Sequence, residues 1–254
     1  MIKNVLKRVW ENVFIISLWD ILFPRRCPVC DEILEPEEMV CRIHSLCERK
    51  LYPVKGAVCM RCGKPLENDV EECCYDCKRK QQYARTSVIA QGKAMFLYRG
   101  PIKQTMYRFK YSNKREYAQF FAEYAFEMYG NWIREKGIEV IVPVPMYYKK
   151  QRVRGYNQAE SFARALSDVT GIPVDTGLVK RVIDTTPQKG LNDVERKNNL
   201  KNAFQKGESI VQYSQILVVD DIYTTGSTAE AVAEVMKTNA NRIYFMSICI
   251  GKGM

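Results

Sequence analysis

The sequence predicts an α/β fold, in which a largely parallel sheet flanked by helices is preceded by a small cysteine-rich module. Two continuous apolar runs, EVIVPVP (139–145) and ILVVDD (216–221), are typical of strands that are covered on both faces. The segments between and after these runs repeat apolar residues at helical spacing. Nine of the ten cysteines lie between Cys27 and Cys77, before this alternating pattern begins.

The first 24 residues have the apolar spacing of an amphipathic helix. Their uncharged run, from Asn12 to Trp19, is too short to span a bilayer and lacks a cleavage site of small residues, so we expect neither a transmembrane segment nor an export signal. We expect this helix to dock on the rest of a cytoplasmic protein, and attachment to the inner face of the membrane is the alternative. The expected parts are an N-terminal helix at 1–24, the cysteine-rich module at 25–81 and the α/β domain at 82–254.

Basic residues are unevenly distributed along the chain. The 254 residues carry a formal net charge of +10. Residues 1–80 contain 14 basic and 13 acidic residues, whereas residues 81–254 contain 25 and 16. A positive field of this kind favours polyanions such as phosphorylated metabolites or nucleic acid. A basic surface that serves only solubility is the alternative.

The cysteines form three Cys-x-x-Cys turns, CPVC, CMRC and the last four residues of CCYDC. Such a turn brings two thiolates together, and two turns complete a tetrahedral Zn²⁺ shell. Because no export signal is expected, metal ligation is a better interpretation than disulfides. The module lacks long apolar runs, so we expect the zinc to be structural and to supply folding free energy.

The segment VCRIHSLC provides the missing half of a zinc site, but it offers three ligands where two are needed. The first site is assigned to Cys27, Cys30 and two of Cys41, His44 and Cys47, with Cys41 and His44 preferred. The second site is assigned to Cys59, Cys62, Cys74 and Cys77, with Cys73 as a spare. An arrangement in which the 27/30 turn joins the 59/62 turn stays open.

The stretch VVDDIYTTGS (218–227) joins an apolar strand to a helix, which is where α/β sheets bind ligands. Gly226 lets the backbone approach closely, and the amides of residues 225–228 with the positive end of the helix form a cup for a phosphate dianion. Asp220 and Asp221 would repel phosphate, so we expect them to hold the vicinal hydroxyls of a sugar, with a divalent cation sharing the task. Phosphate at one end and a diol at the other describe a ribose 5-phosphate.

The segment ILVVDDIYTTGST resembles the signature of the type I phosphoribosyltransferases, which bind phosphoribosyl pyrophosphate with Mg²⁺. The resemblance implies a type I phosphoribosyltransferase-like sheet in which Asp220 and Asp221 hold the ribose hydroxyls and position Mg²⁺. It implies that the 5-phosphate is bound by Thr224, Thr225, Gly226, Ser227 and Thr228. An incidental strand, turn and helix is the alternative.

Two further segments, VPVPMYYKKQRVRGYNQAE and TTPQKGLNDVERKNNLKNAF, together with the cysteine-rich head, resemble the ComF family of competence-associated proteins. The similarity extends from LFPRRC to the final strand. It implies a double zinc-ribbon module before the phosphoribosyltransferase domain, a role in DNA uptake and natural transformation, and a helicase-like partner. The chain departs from the family pattern where Cys41-x-x-His44, followed by Cys47, replaces a cysteine pair.

Four basic residues follow the VPVP strand, namely Lys149, Lys150, Arg152 and Arg154. In the related fold the pyrophosphate of the donor lies here, and these cations would stabilise the departing negative charge. A basic loop in solvent is the alternative. The polar stretch 185–199 is expected to form a mobile hood over the sugar.

Residues 93–115 contain seven basic residues and no acidic residue. Five aromatic residues are interleaved with them, namely Phe96, Tyr98, Tyr107, Phe109 and Tyr111. Aromatic rings amid cations can follow a single-stranded backbone and stack its bases, so we expect contact with single-stranded DNA. Ile102, Met106 and Phe109 also have core spacing, so part of the aromatic content is expected to be buried.

Two functions fit these residues. The first is a binding factor, in which the phosphate cradle holds phosphoribosyl pyrophosphate or a related ligand while the basic surface handles incoming single-stranded DNA. The second is a transferase that moves phosphoribose to a nitrogen atom of a nucleobase or another acceptor. Lys110, Asn157 and Gln158 are its candidate acceptor-site residues. Replacing both aspartates by asparagine should spare DNA affinity and abolish any release of pyrophosphate.

Overall fold

The computed structural model describes residues 24–82, 87–184, 200 and 202–251. The expected N-terminal helix, except for its last residue, and the expected hood at 185–199 lie outside these residues. The chain divides into two compact units, one ending at Arg49 and one beginning at Lys50. This division falls inside the expected cysteine-rich module, so the second cysteine group belongs to the same unit as the sheet. Within the described ranges, no helix combines the length and the apolarity needed to cross a bilayer.

The described part of the first unit, residues 24–49, consists of turns and one short helix, α1 (Ser45–Glu48). An antiparallel bridge joins Arg26 to Ile33, and the amide of Cys27 donates to the carbonyl of Glu32 at 2.8 Å. Asp31 takes a positive φ of 67°, which lets the chain reverse direction within these few residues. Residues 24–49 contain no long helix or strand, and a metal site is one way in which such a segment can be stabilised.

The second unit contains a sheet of four parallel strands, as the apolar runs predicted. Its strands are β1 (Ile89–Leu97), β2 (Val140–Pro143), β5 (Tyr213–Tyr223) and β6 (Ala240–Ile250). Their order is β1-β6-β5-β2. Two shorter strands, β3 (Val179–Arg181) and β4 (Phe204–Lys206), form a separate antiparallel pair. The expected strands at 139–145 and 216–221 are therefore confirmed as β2 and β5.

Six helices of the second unit are described. They are α2 (Tyr75–Gln82), α3 (Ile102–Tyr111), α4 (Tyr117–Glu135), α5 (Tyr148–Arg154), α6 (Gln158–Thr170) and α7 (Ser227–Met236). The apolar spacings read from the sequence fall within α4, α6 and α7 and are confirmed. Asn157 caps α6, since its side-chain oxygen accepts from the amide of Ala159. Gly155 and Gly171 end α5 and α6 in the left-handed conformation.

Successive side chains of a strand point to opposite faces of the sheet, and helices cover both of these faces. Ile216 and Val218 share a buried cluster with Val232 and Met236 of α7. Side chains of the opposite face meet α4 and α6; the Trp132 ring, for example, packs edge-on against Tyr244. The strands are unbroken apolar runs in the sequence because both faces of the sheet are buried.

Candidate functional site

The loop after β5 has the geometry of an anion cradle. Strand β5 ends at Tyr223 and α7 begins at Ser227, so three residues make the turn. Gly226 caps the helix with a φ of 79°, a conformation that other residues rarely adopt. The hydroxyl oxygens of Thr225 and Ser227 lie 2.9 Å apart. Because amides in the first turn of a helix have no acceptor within the helix, they are available to a bound phosphate group.

Both aspartates lie near the carboxyl end of β5, beside the carboxyl end of the neighbouring strand β2. The amide of Val144, just beyond β2, donates to the carbonyl of Val219 at 2.9 Å. Asp220 follows directly, and its carboxylate accepts from the amide of Asp221 at 2.8 Å. The Asp221 carboxylate in turn accepts from Lys110 Nζ at 2.8 Å. The acid pair and the loop before α7 therefore share the edge of the sheet at which the parallel strands end, and binding of a ligand there stays a prediction.

The charge of Asp220 depends on its surroundings. Burial, followed by the neighbouring Asp221 carboxylate, raises the pKa of Asp220 to about 7. Lys110 and Arg181 act in the opposite direction by favouring the ionised form. At neutral pH Asp220 is therefore divided between acid and carboxylate, and a ligand that needs the carboxylate must displace its proton.

Lys110 lies in the last turn of α3 and is mostly buried. Burial by itself lowers the pKa of Lys110, but the Asp221 carboxylate outweighs burial and keeps that pKa above its usual value. The ammonium group is therefore charged and neutralises Asp221. Lys110, a candidate acceptor-site residue on sequence grounds, is thus a partner of the acid pair in the structure.

Arg181 is a site residue that the sequence did not single out. It lies on β3, close enough to Asp220 for its positive charge to lower the pKa of that carboxyl group. Its guanidinium carbon lies 5.3 Å from the centre of the Phe204 ring. Burial lowers the pKa of Arg181, and Asp184 and Asp220 oppose that shift. A single arginine in a polar stretch carries no motif, so only the packing reveals it.

Among the four basic residues expected beside the pyrophosphate, Arg154 is close enough to Lys110, the partner of Asp221, to influence its pKa. Its positive charge acts on Lys110, and its guanidinium donates to Gln158 Oε1 at 2.8 Å and lies over the Tyr111 ring at 4.9 Å. Lys150 pairs with Asp184 at 2.7 Å. Lys149 and Arg152 are exposed on α5, a helix without buried residues. Their predicted contact with pyrophosphate stays a prediction.

The remaining acceptor-site candidates have internal partners. Asn157 caps α6 with its side-chain oxygen, and its amide nitrogen donates to the carbonyl of Val144 at 3.0 Å. Gln158 is 1% exposed and accepts from Arg154. Both side chains hold the α5–α6 connection in place. Neither is directed at an open acceptor pocket by these contacts.

The first zinc group is formed by Cys27, Cys30, His44 and Cys47, whose ligand atoms lie within 4.8 Å of one another. His44 Nδ1 is 3.2 Å from Cys30 Sγ, and its Nε2 is 3.1 Å from the carbonyl oxygen of Ile33. In the tautomer with the proton on Nε2, Nε2–H donates a hydrogen bond to this carbonyl oxygen and Nδ1 faces the thiolates. Three thiolates and one imidazole form a closed shell that fits structural Zn²⁺.

The preference for Cys41 as a ligand of this group is wrong. Cys41 is exposed and stands outside the four ligands. His44 is the N-cap of α1, and the amide of Cys47 donates to the His44 carbonyl at 2.9 Å. The first turn of that helix therefore folds Cys47 back beside His44. Spacing alone could not separate the two cysteines, because both lie three residues from His44.

The second zinc group is formed by Cys59, Cys62, Cys74 and Cys77, also within 4.8 Å of one another. The predicted ligand set is thus brought together, Cys73 is left out, and the crossed arrangement with the 27/30 turn does not occur. All four cysteines are buried and share an apolar cluster with residues of the sheet such as Ile89 and Phe245. Four thiolates fit structural Zn²⁺ without an open position.

The aromatic residues of segment 93–115 divide into two groups. Phe96 and Phe109 are fully buried, as the core spacing indicated. Tyr107 and Tyr111 are exposed on α3, with ring centres 5.1 Å apart. Tyr111 also lies under the Arg154 guanidinium, so aromatic and basic groups lie side by side on this surface.

Two comparisons with known sequences bear on this arrangement. Residues 18–78 match the family model described as the double zinc ribbon domain. The chain is 31% identical over 184 residues to competence protein F of Haemophilus influenzae, which covers 70% of this chain and 78% of that protein. It is 27% identical to competence protein ComFC of Bacillus subtilis, over 80% of each chain. The DNA utilization protein YhgH of Salmonella typhimurium is 28% identical over 78% of this chain and 85% of its own.

Among solved structures, the chain is similar to adenine phosphoribosyltransferase from Saccharomyces cerevisiae. The similarity covers 52% of this chain and 68% of that one, at 20% sequence identity and a TM-score of 0.33.

Proposed function

The chain belongs to the ComF family of competence proteins, and from that premise we propose that it binds phosphoribosyl pyrophosphate and handles single-stranded DNA during DNA uptake. The observation that carries the proposal is the pair Asp220 and Asp221 at the end of β5, followed by the Gly226 turn at the start of α7. The names of the relatives, which concern competence and DNA utilization, support the second half of the proposal.

Each part of the ligand has a matching part of the proposed site. The amides and hydroxyls of residues 224–228 bind the 5-phosphate. Asp220 and Asp221 accept hydrogen bonds from the ribose hydroxyls, and their oxygens are ligands that suit Mg²⁺. When bound, Mg²⁺ would neutralise charge on the pyrophosphate oxygens. Arg154, with Lys149 and Arg152 on α5, supplies positive charge on the pyrophosphate side.

A substitution at Gly226 tests the phosphate half of the proposal. A Cβ at this position would lie 2.2 Å from Tyr223 Oη, so Gly226→Ala must distort the loop. We expect Gly226→Ala to weaken binding of phosphoribosyl pyrophosphate, measured by calorimetry with Mg²⁺, by at least about tenfold, since charge-assisted hydrogen bonds to the phosphate are lost.

The matched control is Gly137→Ala. Gly137 also has a positive φ, of 60°, but a Cβ there meets no atom within 4 Å. It carries the same backbone cost without a clash, so its affinity should equal that of the wild type. Absence of binding heat from phosphoribosyl pyrophosphate in the wild-type protein would overturn the proposed function.

The exposed pair Tyr107 and Tyr111 tests the DNA half of the proposal. Base stacking on an aromatic ring contributes about 1–3 kcal/mol per base. We therefore expect replacement of both tyrosines by alanine to weaken binding of a single-stranded oligonucleotide by about 10- to 100-fold in a fluorescence anisotropy titration. Affinity should also fall steeply with salt. Tyr75→Ala is the control, because Tyr75 is a tyrosine of similar exposure on α2. Equal losses in both variants would contradict a stacking role.

The transferase is the second candidate function, favoured by the cations around the acid pair. The contacts of Lys110, Asn157 and Gln158 leave no residue assigned to an acceptor, which is why binding stands first. Incubation with Mg²⁺, phosphoribosyl pyrophosphate and a panel of nucleobases separates the two. Pyrophosphate release that is lost on replacing both aspartates by asparagine would make the transferase the function.

A further inference from the structure

The second zinc group lies directly behind the loop that holds the proposed phosphate. One cavity is lined both by Cys62 and Cys77 of the zinc group and by Tyr223 and Glu230, which flank the loop in sequence. The zinc group and the loop thus share a wall. A metal site that served only to hold its own two turns together would not have to lie next to this loop.

Lys80 makes the most direct connection between the two. It lies on α2, three residues after the ligand Cys77, and its Nζ donates to the carbonyl oxygen of Thr225 at 2.9 Å. The Thr225 carbonyl and the Gly226 N–H belong to the same peptide group. In a trans peptide the C=O and N–H groups point in opposite directions. Lys80 therefore fixes the peptide with the Gly226 N–H directed away from Lys80, on the side available to a phosphate.

Tyr223 provides a second contact behind the loop. Its buried ring packs against Phe245 with ring centres 5.3 Å apart. Its hydroxyl lies against Gly226, where no side chain could fit. The phenol therefore supports the turn from the same side as Lys80.

The Cys59-x-x-Cys62 turn of the second zinc group packs closely against β1. The amide of Gly92 donates to the carbonyl of Arg61 at 2.6 Å, and a Cβ on Gly63 would lie 2.8 Å from the carbonyl oxygen of Gly92. Glu230 of α7 accepts from Ser87 Oγ at 2.5 Å, just before β1. The zinc group, β1 and the start of α7 are thereby connected through short contacts, so a change at the zinc group reaches the loop.

We propose that the second zinc group positions the phosphate loop, with Lys80 as the positioning residue, so that zinc occupancy and affinity for a phosphomonoester are coupled. The inference rests on the proposed function, because the ligand it concerns is the 5-phosphate of that site. Zinc closes the turns that start α2, α2 places Lys80, and Lys80 orients the Thr225–Gly226 peptide. Loss of the Lys80 contact alone should release this peptide and lower phosphate affinity, whereas loss of the metal, on which the fold of the unit depends, should abolish binding.

The experiment compares Lys80→Met with Lys78→Met in the full-length, zinc-loaded protein. Lys78 lies on the same helix and pairs with Glu71 at 2.9 Å, away from the loop. We expect Lys80→Met to weaken binding of phosphoribosyl pyrophosphate and of inorganic phosphate by about tenfold or more, the loss typical of a charged hydrogen bond. Zinc content and single-stranded DNA affinity should not change. Lys78→Met should match the wild type in every measurement, and Lys80→Arg should restore part of the affinity.

Coupling must also act in the reverse direction. Saturating phosphoribosyl pyrophosphate should slow the loss of one of the two zinc ions to a chelator several-fold and leave the other unchanged, and Lys80→Met should remove this protection. This arm uses the wild-type protein, so it decides the question even if Lys80→Met fails to retain zinc. Two results would overturn the inference and leave the proposed function intact, provided that the wild type binds phosphoribosyl pyrophosphate tightly. The first is a rate of zinc release that the ligand does not change. The second is an affinity of Lys80→Met equal to that of the wild type. No binding by the wild type overturns the proposed function itself.

Discussion

Asp220→Asn is expected to make the protein more stable at pH 8 while abolishing its binding of phosphoribosyl pyrophosphate. Burial and the Asp221 carboxylate raise the pKa of Asp220 to about 7. Ionising this group in the folded protein is therefore costly, and the uncharged amide removes that cost. The amide keeps an oxygen that can accept from the amide of Asp221. We expect a gain of roughly 1–3 kcal/mol in the free energy of unfolding, or a few degrees in melting temperature.

The sign of the pH dependence follows from the same pKa. An unfolded aspartate has a pKa of about 3.9. Between about pH 4 and pH 7, Asp220 is therefore protonated in the folded protein and ionised in the unfolded chain. The stabilisation from this group is complete below that window and is lost as the pH rises through it. The difference in melting temperature between Asp220→Asn and the wild type should grow from about pH 4 to about pH 7 and then level off.

Asp221→Asn is the matched control, and its effect should have the opposite sign. Asp221 pairs with the mostly buried Lys110, so its neutralisation leaves a buried ammonium group without its closest partner. We expect a lower melting temperature at pH 8 and again no binding of phosphoribosyl pyrophosphate. Thermal unfolding across pH 4 to 9, with calorimetry at pH 8, measures both variants. Destabilisation by Asp220→Asn at pH 8 would contradict the assignment of a raised pKa.

Loss of the second zinc group is expected to unfold the second unit, whereas loss of the first is not. Cys62 is buried in one cluster with the sheet residues. A structural zinc site contributes on the order of 10 kcal/mol, which is comparable with the whole stability of a domain. Cys62→Ser should therefore abolish the cooperative thermal transition of the sheet and the binding of phosphoribosyl pyrophosphate.

Two controls isolate the metal from the loss of a thiol. Cys73→Ser removes a neighbouring cysteine that is not a ligand, so zinc content and melting temperature should stay close to those of the wild type. Cys47→Ser removes a ligand of the first group, so one zinc ion should be lost while the sheet keeps its thermal transition. Circular dichroism and a colorimetric zinc assay measure both. A folded, ligand-binding Cys62→Ser protein would show that the sheet does not need this metal.

Local patterns were sufficient for much of this molecule. The strands β2 and β5 are buried on both faces and are therefore marked by unbroken apolar runs. Asp220, the proposed phosphate loop with Gly226 and the start of α7 follow one another along the chain, so their order could be predicted from the sequence. The second zinc group was also predicted, because two Cys-x-x-Cys turns leave only one way of pairing within that segment.

Other features needed the packed chain. Cys41 and Cys47 lie equally far from His44 in sequence, and only the direction in which α1 begins makes Cys47 the ligand. Asn157 has the polarity of a binding residue, but it caps a helix.

The sequence by itself determined the class of fold, the preferred ligands of the second metal site and the order of chemical groups along the proposed phosphate loop, since these depend on periodicity and on residues close together in the chain. Only the tertiary structure decided that Lys110, Arg181 and Lys80, each from a different element, reach Asp221, Asp220 and the Thr225 carbonyl. Pairings across such distances in the chain depend on how helices and strands pack, and the packing leaves no periodic mark in the sequence. The charge of the acid pair is likewise set by burial rather than by residue type.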